Sequence, residues 1–276
     1  MKQIKNNTIK NIIYIAVFFM VFIIFIDSSI NLLKNFDSIK KKLINLNFDP
    51  ETNKQSKYEQ NNLDIYWAEK LLKGGYILHF RHAERDKWID VQAYDALETH
   101  LHENGLNGTR YAENEYFKDA VCLNERGEIQ AKAIGEHLKN IKLPIGFVIS
   151  SPICRSRQTA DIAFGGYDEL NLQLVHKGPY NENRLEHIRK LKKLYLNLPI
   201  EKNTNTIVSG HNGTVHMKMF DNDLYKTNVR NPENLKLEGG GFFVISQQKL
   251  KNNKKELVLE HQFHNFKFFS KIFYKR

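Results

Sequence analysis

Three short apolar runs, Tyr76-Ile77-Leu78-His79-Phe80, Ile145-Gly146-Phe147-Val148-Ile149-Ser150 and Thr206-Ile207-Val208-Ser209, each stop at a cation, an imidazole or a turn that leads to one. Runs of four to six apolar residues bounded by turn signals read as buried strands, and such strands belong to parallel sheets covered on both faces. Between them lie segments with helical periodicity, Glu128 to Leu138 and Glu186 to Leu198. Alternation of strand and helix predicts an α/β class, a three-layer α/β/α sandwich with a mostly parallel central sheet. Gly240 to Ile245 and Glu256 to Glu260 read as two closing strands, and Tyr66 to Leu72 as a short helix stopped by Gly74-Gly75.

In an open sheet of this kind, ligands bind beyond the carboxyl ends of the strands, so the residues just past each strand matter most. The first strand runs into Arg81-His82-Ala83-Glu84-Arg85, the second into Ser151-Pro152-Ile153-Cys154-Arg155, and the third into Gly210-His211-Asn212. A neutral imidazole is a competent nucleophile near pH 7 when its other ring nitrogen donates to a fixed acceptor. His82 fits that role best. Phosphoryl transfer is mostly positioning plus stabilisation of charge on the non-bridging oxygens, which suits the planar forks of Arg81 and Arg155 and an added donor from His211, if protonated. The departing oxygen needs a proton, and a carboxylic acid beside the phosphate is the usual donor.

Four ordered motifs carry a family resemblance: Arg81-His82 with Glu84; Leu123-Asn124-Glu125-Arg126-Gly127 with Gln130-Ala131; Ser150-Ser151-Pro152 through Arg155 to Gln158-Thr159-Ala160; and Gly210-His211. Over roughly 74–246 the chain resembles the histidine phosphatase superfamily, the phosphoglycerate mutase-like group. It is most similar to envelope-facing bacterial members in Cys122-Leu123-Asn124, Leu143-Pro144-Ile145-Gly146, Cys154-Arg155 and Ala163-Phe164-Gly165. The resemblance implies that Arg81, His82, Arg155 and His211 form the phosphate pocket around a phosphohistidine on His82. It points to Glu182, at an interval after Arg155 similar to that of mutase-type members, as the acid. Glu84 is the rival and Glu186 a distant third. The acid-phosphatase branch follows its second histidine with Asp or Glu, whereas Asn212 follows His211 here. Arg85 resembles that branch's extra arginine and either touches the phosphate or pairs with a surface carboxylate.

The expected activity is that of a phosphomonoester hydrolase acting through the covalent phosphohistidine, with no metal or organic cofactor. Two alternatives stay open: a mutase-like phosphotransferase, and a phospho-ligand binding module without turnover. His79 alternates with Arg81 along its strand and reads as a core or supporting imidazole. His79, His82, His100, His102 and His211 lack the Glu, Cys or Asp-rich companions of a metal site. The expected partners are a phosphorylated small molecule or an envelope glycan or lipid phosphate. A net charge of +10 raises nucleic acid, but the lysines spread over surface segments and a Lys267 to Arg276 tail without a nucleic-acid-binding signature.

Ile12 to Ile26 is an unbroken apolar run preceded by Lys2, Lys5 and Lys10. Extended to Leu33 it is long enough to span a bilayer, and no small-residue cleavage signature follows it. The expectation is an amino-terminal membrane anchor over 1–33, a polar stalk over 34–62 and a catalytic domain over 63–276 outside the cytoplasm. Cys122 and Cys154 flank active-site motifs, so a disulfide between them would hold Arg155 in place; two separate thiols are the alternative. Trp88 to Ala120, polar and aromatic, is expected to wall the leaving-group side of the pocket.

Overall fold

The computed structural model describes residues 62–87, 94–95, 118–176, 182–227, 229, 231–251 and 253–274. The expected anchor and stalk, His100, His102 and most of the Trp88 to Ala120 insertion lie outside the described residues. Among the described residues no helix is long and apolar enough to cross a membrane.

Helices and strands alternate: α1 (Asn62–Leu71), β1 (Ile77–Arg81), α2 (Lys118–Val121), α3 (Glu125–Asn140), β2 (Ile145–Ser150), α4 (Cys154–Phe164), β3 (Glu169–Leu170), α5 (Arg184–Asn197), β4 (Asn205–Gly210), β5 (Phe242–Lys249), β6 (Lys255–Phe263) and α6 (Phe266–Tyr274). They build a six-stranded sheet of order β3-β2-β4-β1-β5-β6. Its first four strands are parallel. The sheet is mostly parallel, as expected, and mixed at its far edge, where β5 pairs antiparallel with both β1 and β6. The short connection between β5 and β6 allows a hairpin, while a parallel return needs a crossover of a dozen residues or more.

Strand alternation sorts the apolar residues into two cores. Leu78, Phe80, Val148, Ile207, Phe242 and Val244 face one way, where they meet Trp67 and Leu71 of α1, Ile134 of α3, Ala160 of α4 and Phe269 of α6. Ile77, Ile149, Val208, Phe243 and Ile245 face the other way, against Ile188, Leu191 and Tyr195 of α5. Helices thus cover both faces, which is why the strands carry almost no polar alternation.

Local chemistry starts and stops these elements. The Asn124 side chain accepts from the Gly127 amide at the head of α3, and acids at Glu125 and Glu128 favour its positive end. Asn183 does the same for α5 through the Leu185 amide. Gly165, left-handed at φ 83°, closes α4. The segment read as a lysine tail is instead the amphipathic helix α6. Phe266, Phe269 and Ile272 are buried at helical spacing while Lys267 and Lys271 face solvent.

Candidate active site

Parallel register sets the site. Arg81 pairs with Gly210 as β1 and β4 end together, and the His82 amide donates to the Gly210 carbonyl at 2.9 Å. The Ser151 amide donates to the Ser209 carbonyl at 2.9 Å, aligning the end of β2 with them. The chain therefore leaves three adjacent strands at one rim with His82, His211 and Ser151, and α4 begins there with Arg155 as its second residue.

His82 is 4% exposed. Its Nδ1 lies 2.7 Å from the Ala83 carbonyl oxygen, which only accepts, so the proton sits on Nδ1 and the lone pair on Nε2. Arg155 donates its Nε–H to that same Nε2 at 3.2 Å. Burial, then the charges of Arg155 and Arg81, hold the imidazole well below its usual pKa, against the pull of the Ala83 carbonyl. A neutral ring with an unprotonated nitrogen facing a guanidinium is a nucleophile poised beside an anion site.

The His211 ring stands 5.3 Å from that of His82. Its Nε2 is held by the hydroxyls of Ser151 at 2.9 Å and Ser156 at 3.2 Å, while its Nδ1 is buried with no hydrogen-bond partner. A buried polar atom without a partner costs free energy that a ligand oxygen would recover. Burial and Arg155 push the His211 pKa well below the usual value, so this ring donates as a neutral N–H and needs no protonation. Beneath it, His79 lies in the core as expected: its Nε2–H donates to the His211 carbonyl at 3.4 Å and its Nδ1 accepts from the Tyr195 hydroxyl at 2.6 Å. Burial brings its pKa down to about 4. A Cβ on Gly210 would sit 2.7 Å from the His79 ring, which explains glycine at the end of β4.

Three guanidiniums converge. Arg155 directs both terminal nitrogens at the Asp95 carboxylate, at 2.6 and 2.7 Å, and both side chains are buried. Arg81 donates to the Leu237 carbonyl at 2.7 Å, and burial followed by the charge of Arg155 lowers its pKa. Arg85 donates to the Asp86 carbonyl at 2.5 Å, and its Nε is buried without a partner. Burial and then Arg155 bring its pKa to about 10, opposed by Asp95. The charges of Arg155, Asp95 and Arg81 act on Arg85, and so does that of the neighbouring Asp86. The Cys122–Cys154 disulfide, Cα–Cα 4.8 Å, ties the end of α2 to the residue before Arg155.

The carboxylates expected as acids have other partners. Glu84 pairs with Arg126 of α3 at 2.7 Å. Glu182 pairs through one oxygen with Lys190 of α5 while its other oxygen is buried without a hydrogen-bond partner, and Glu186 pairs with Arg189 at 2.6 Å. The structure brings together His82, Arg81, Arg155, His211 and Arg85, and turns Glu84 and Glu182 toward helix-borne cations. Sequence reasoning passed over Asp95, which stands in a stretch without motif or periodicity, and His176, whose Nδ1 is 4.0 Å from the Asp95 carboxylate. Ser151 and Ser156 fall inside the Ser150-to-Ala160 motif, which by itself gives no sign of their role at His211. Among the described residues, no group of three His, Cys, Asp or Glu side chains is arranged to hold a metal.

Such a rim can bind a dianion and let the His82 nitrogen attack it. The model of the histidine phosphatase superfamily (branch 1) matches residues 109–177, the span that holds the Leu123-to-Ala131 and Ser150-to-Ala160 motifs with Arg155, and shows the superfamily resemblance there. No curated protein matches the chain. Similar solved structures include a mycobacterial glucosyl-3-phosphoglycerate phosphatase, 14% identical, with 69% of this chain and 99% of that one covered at a TM-score of 0.42. SixA from Agrobacterium tumefaciens is 16% identical over 68% of this chain and 96% of that one, at 0.40. A phosphoglycerate mutase from Plasmodium falciparum is 15% identical over 67% and 88%, at 0.34.

Proposed function

We propose that the chain is a phosphomonoester hydrolase that works through a phosphohistidine on His82. The observation that carries this reading is the Nε2 of His82, lone pair free of a proton, held 3.2 Å from the Nε of a buried arginine at the meeting point of three strand ends. Nε2 attacks phosphorus as the ester P–O bond breaks and the electron pair leaves with the oxygen. Arg155, Arg81 and Arg85 balance the charge on the phosphoryl oxygens, and the Nδ1 of His211 donates to one of them. The Ala83 carbonyl accepts from the Nδ1 proton and so supports the positive charge that develops on the ring. Water then attacks phosphorus, the P–N bond breaks, and orthophosphate leaves with His82 restored.

The substrate in this reading is a phosphorylated small molecule or an envelope glycan or lipid phosphate, reached by a catalytic domain outside the cytoplasm and tethered by the apolar run Ile12 to Ile26. The Cys122–Cys154 bond supports an oxidising compartment, where disulfides persist. The test is phosphate release by the purified chain over a panel of sugar, nucleotide, lipid and aryl phosphates. The wild type is expected to turn over at least one of them and to carry phosphate on His82, and His82→Ala to release nothing. Equal release by His82→Ala would overturn the reading, and a burst without turnover would make the chain a binding protein.

A further inference from the structure

We propose that Asn212 is a positioning residue of the phosphate pocket: its side-chain amide clamps Leu237 and thereby fixes the carbonyl that aims Arg81 at the phosphoryl group. The inference rests on the phosphohistidine reading of His82 and deepens it at Arg81.

Asn212 follows His211 just past the end of β4, and its amide meets both backbone groups of a single residue. Its Nδ2 donates to the Leu237 carbonyl at 2.9 Å and its Oδ1 accepts from the Leu237 amide at 2.8 Å. A donor facing a carbonyl and an acceptor facing an N–H settle which end of the side chain is nitrogen. The same Leu237 carbonyl accepts from Nη1 of Arg81 at 2.7 Å. A carbonyl oxygen has two lone pairs and so takes both donors. With Nδ2 on one of them, Arg81 is confined to the other. The residue next to His211 thus sets where the Arg81 guanidinium stands, and one device registers two of the groups that hold phosphate.

The path of the chain around Leu237 has anchors of its own. The Lys236 carbonyl accepts from Nε2 of Gln262 at 2.8 Å, and the Glu238 amide donates to the His264 carbonyl at 2.9 Å. The Gly239 carbonyl accepts from Nε2 of Gln130 at 2.9 Å, and the Gly241 carbonyl from the Arg81 amide at 2.9 Å. The Leu237 side chain is buried in the core under α5. These bonds hold the segment on both sides of Leu237 without Asn212, so what Asn212 adds lies at the oxygen that Arg81 grips.

The anchor is neutral, and that suits the task. Arg155 meets the Asp95 carboxylate, whereas Arg81 meets a carbonyl and keeps its full charge for a dianion. A guanidinium binds phosphate through directed N–H bonds, so a fork that swings costs affinity even when its charge stays nearby.

The experiment is a double-variant cycle with Arg81, read by calorimetric titration with tungstate, a tetrahedral dianion whose binding needs no turnover. Asn212→Ala is expected to weaken tungstate binding about tenfold, and by less than about twofold when Arg81→Ala is already present. Equal losses in both backgrounds would overturn the inference, because a residue that only supports the fold does not sense Arg81. No loss in either, or no tungstate binding by the wild type, would overturn it as well. Asn212→Ser, too short to make both bonds, decides through the same cycle if the alanine variant does not fold. Failure of both to fold would make Asn212 a residue of the fold and also defeat the positioning role. In turnover, Asn212→Ala is expected to lower kcat/KM equally for 4-nitrophenyl and phenyl phosphate. A larger loss on phenyl phosphate, the ester with the more basic leaving oxygen, would mark proton transfer and overturn the assignment. A wild type that binds tungstate yet never carries phosphate on His82 would sink the phosphatase reading, while the cycle still decides the clamp.

Discussion

At the residue scale, the pocket is occupied by its own chemistry. The Asp95 carboxylate lies on the Arg155 fork as two oxygens of a phosphoryl group would, so an incoming dianion must share or displace it. Asp95→Asn removes that rival negative charge. It is expected to bind orthophosphate and tungstate about tenfold more tightly, read as a lower inhibition constant in the hydrolysis assay, and unchanged inhibition would contradict the arrangement. His82, Arg81, Arg155 and His211 are legible in the sequence because each comes within a few residues of an apolar run, so strand ends deliver them whatever else the chain does. Asp95 and His176 are not. Their role depends on meeting Arg155 and His211 across 60 and 35 positions of sequence, and no local pattern announces such a meeting.

At the scale of elements, α4 is held at both ends of its first turn. Ser209 donates its hydroxyl to the Ser156 carbonyl at 2.8 Å, and the Cys122–Cys154 disulfide clamps the residue before Arg155 to α2. Opening that bond frees a loop with a sequence separation of 32, worth about 3–4 kcal/mol in the chain-entropy treatment. Cys122→Ser with Cys154→Ser is expected to lower the unfolding free energy by that amount in urea titrations and to raise KM through a less fixed Arg155. A double variant as stable as the wild type would refute the clamp. On the other side of His82, α3 presses close. A Cβ on Gly127 would collide with the Glu84 carbonyl, so the glycine of Asn124-Glu125-Arg126-Gly127 is a packing requirement of the loop after His82. The motif was readable and its reason was not, since close backbone approach is a property of the folded pair. Helix α6 escaped for a related cause: its lysines read as a charged tail until a partner surface gives Phe266, Phe269 and Ile272 a common face.

Across the whole molecule, the two cores bury neutral imidazoles as well as apolar side chains. His79 has a folded pKa of about 4 against about 6.5 when unfolded. Above pH 6.5 both states carry it neutral and nothing is gained or lost. As pH falls below 6.5 the unfolded chain binds the proton first, so stability drops until about pH 4, by about 3 kcal/mol for this one group. His82 and His211, both held well below their usual values, act in the same direction. The urea midpoint is expected to fall markedly from pH 7.5 to pH 5, and a flat profile would show that these rings charge freely in the fold. The layered α/β class was legible from the alternation of short apolar runs with helical segments. The antiparallel strand β5 was not, because runs such as Phe242 to Ile245 look alike whichever way their neighbours point.

In the proposed phosphatase reading, the proton on the Nδ1 of His82, held by the Ala83 carbonyl, also dictates which regioisomer would form. Only the nitrogen remote from the side-chain stem is free to take up phosphorus, so the proposed intermediate is the tau isomer, 3-phosphohistidine. Antibodies that tell the two isomers apart therefore read the tautomer of the resting enzyme, and an alkaline quench preserves the bond that an acid quench would erase.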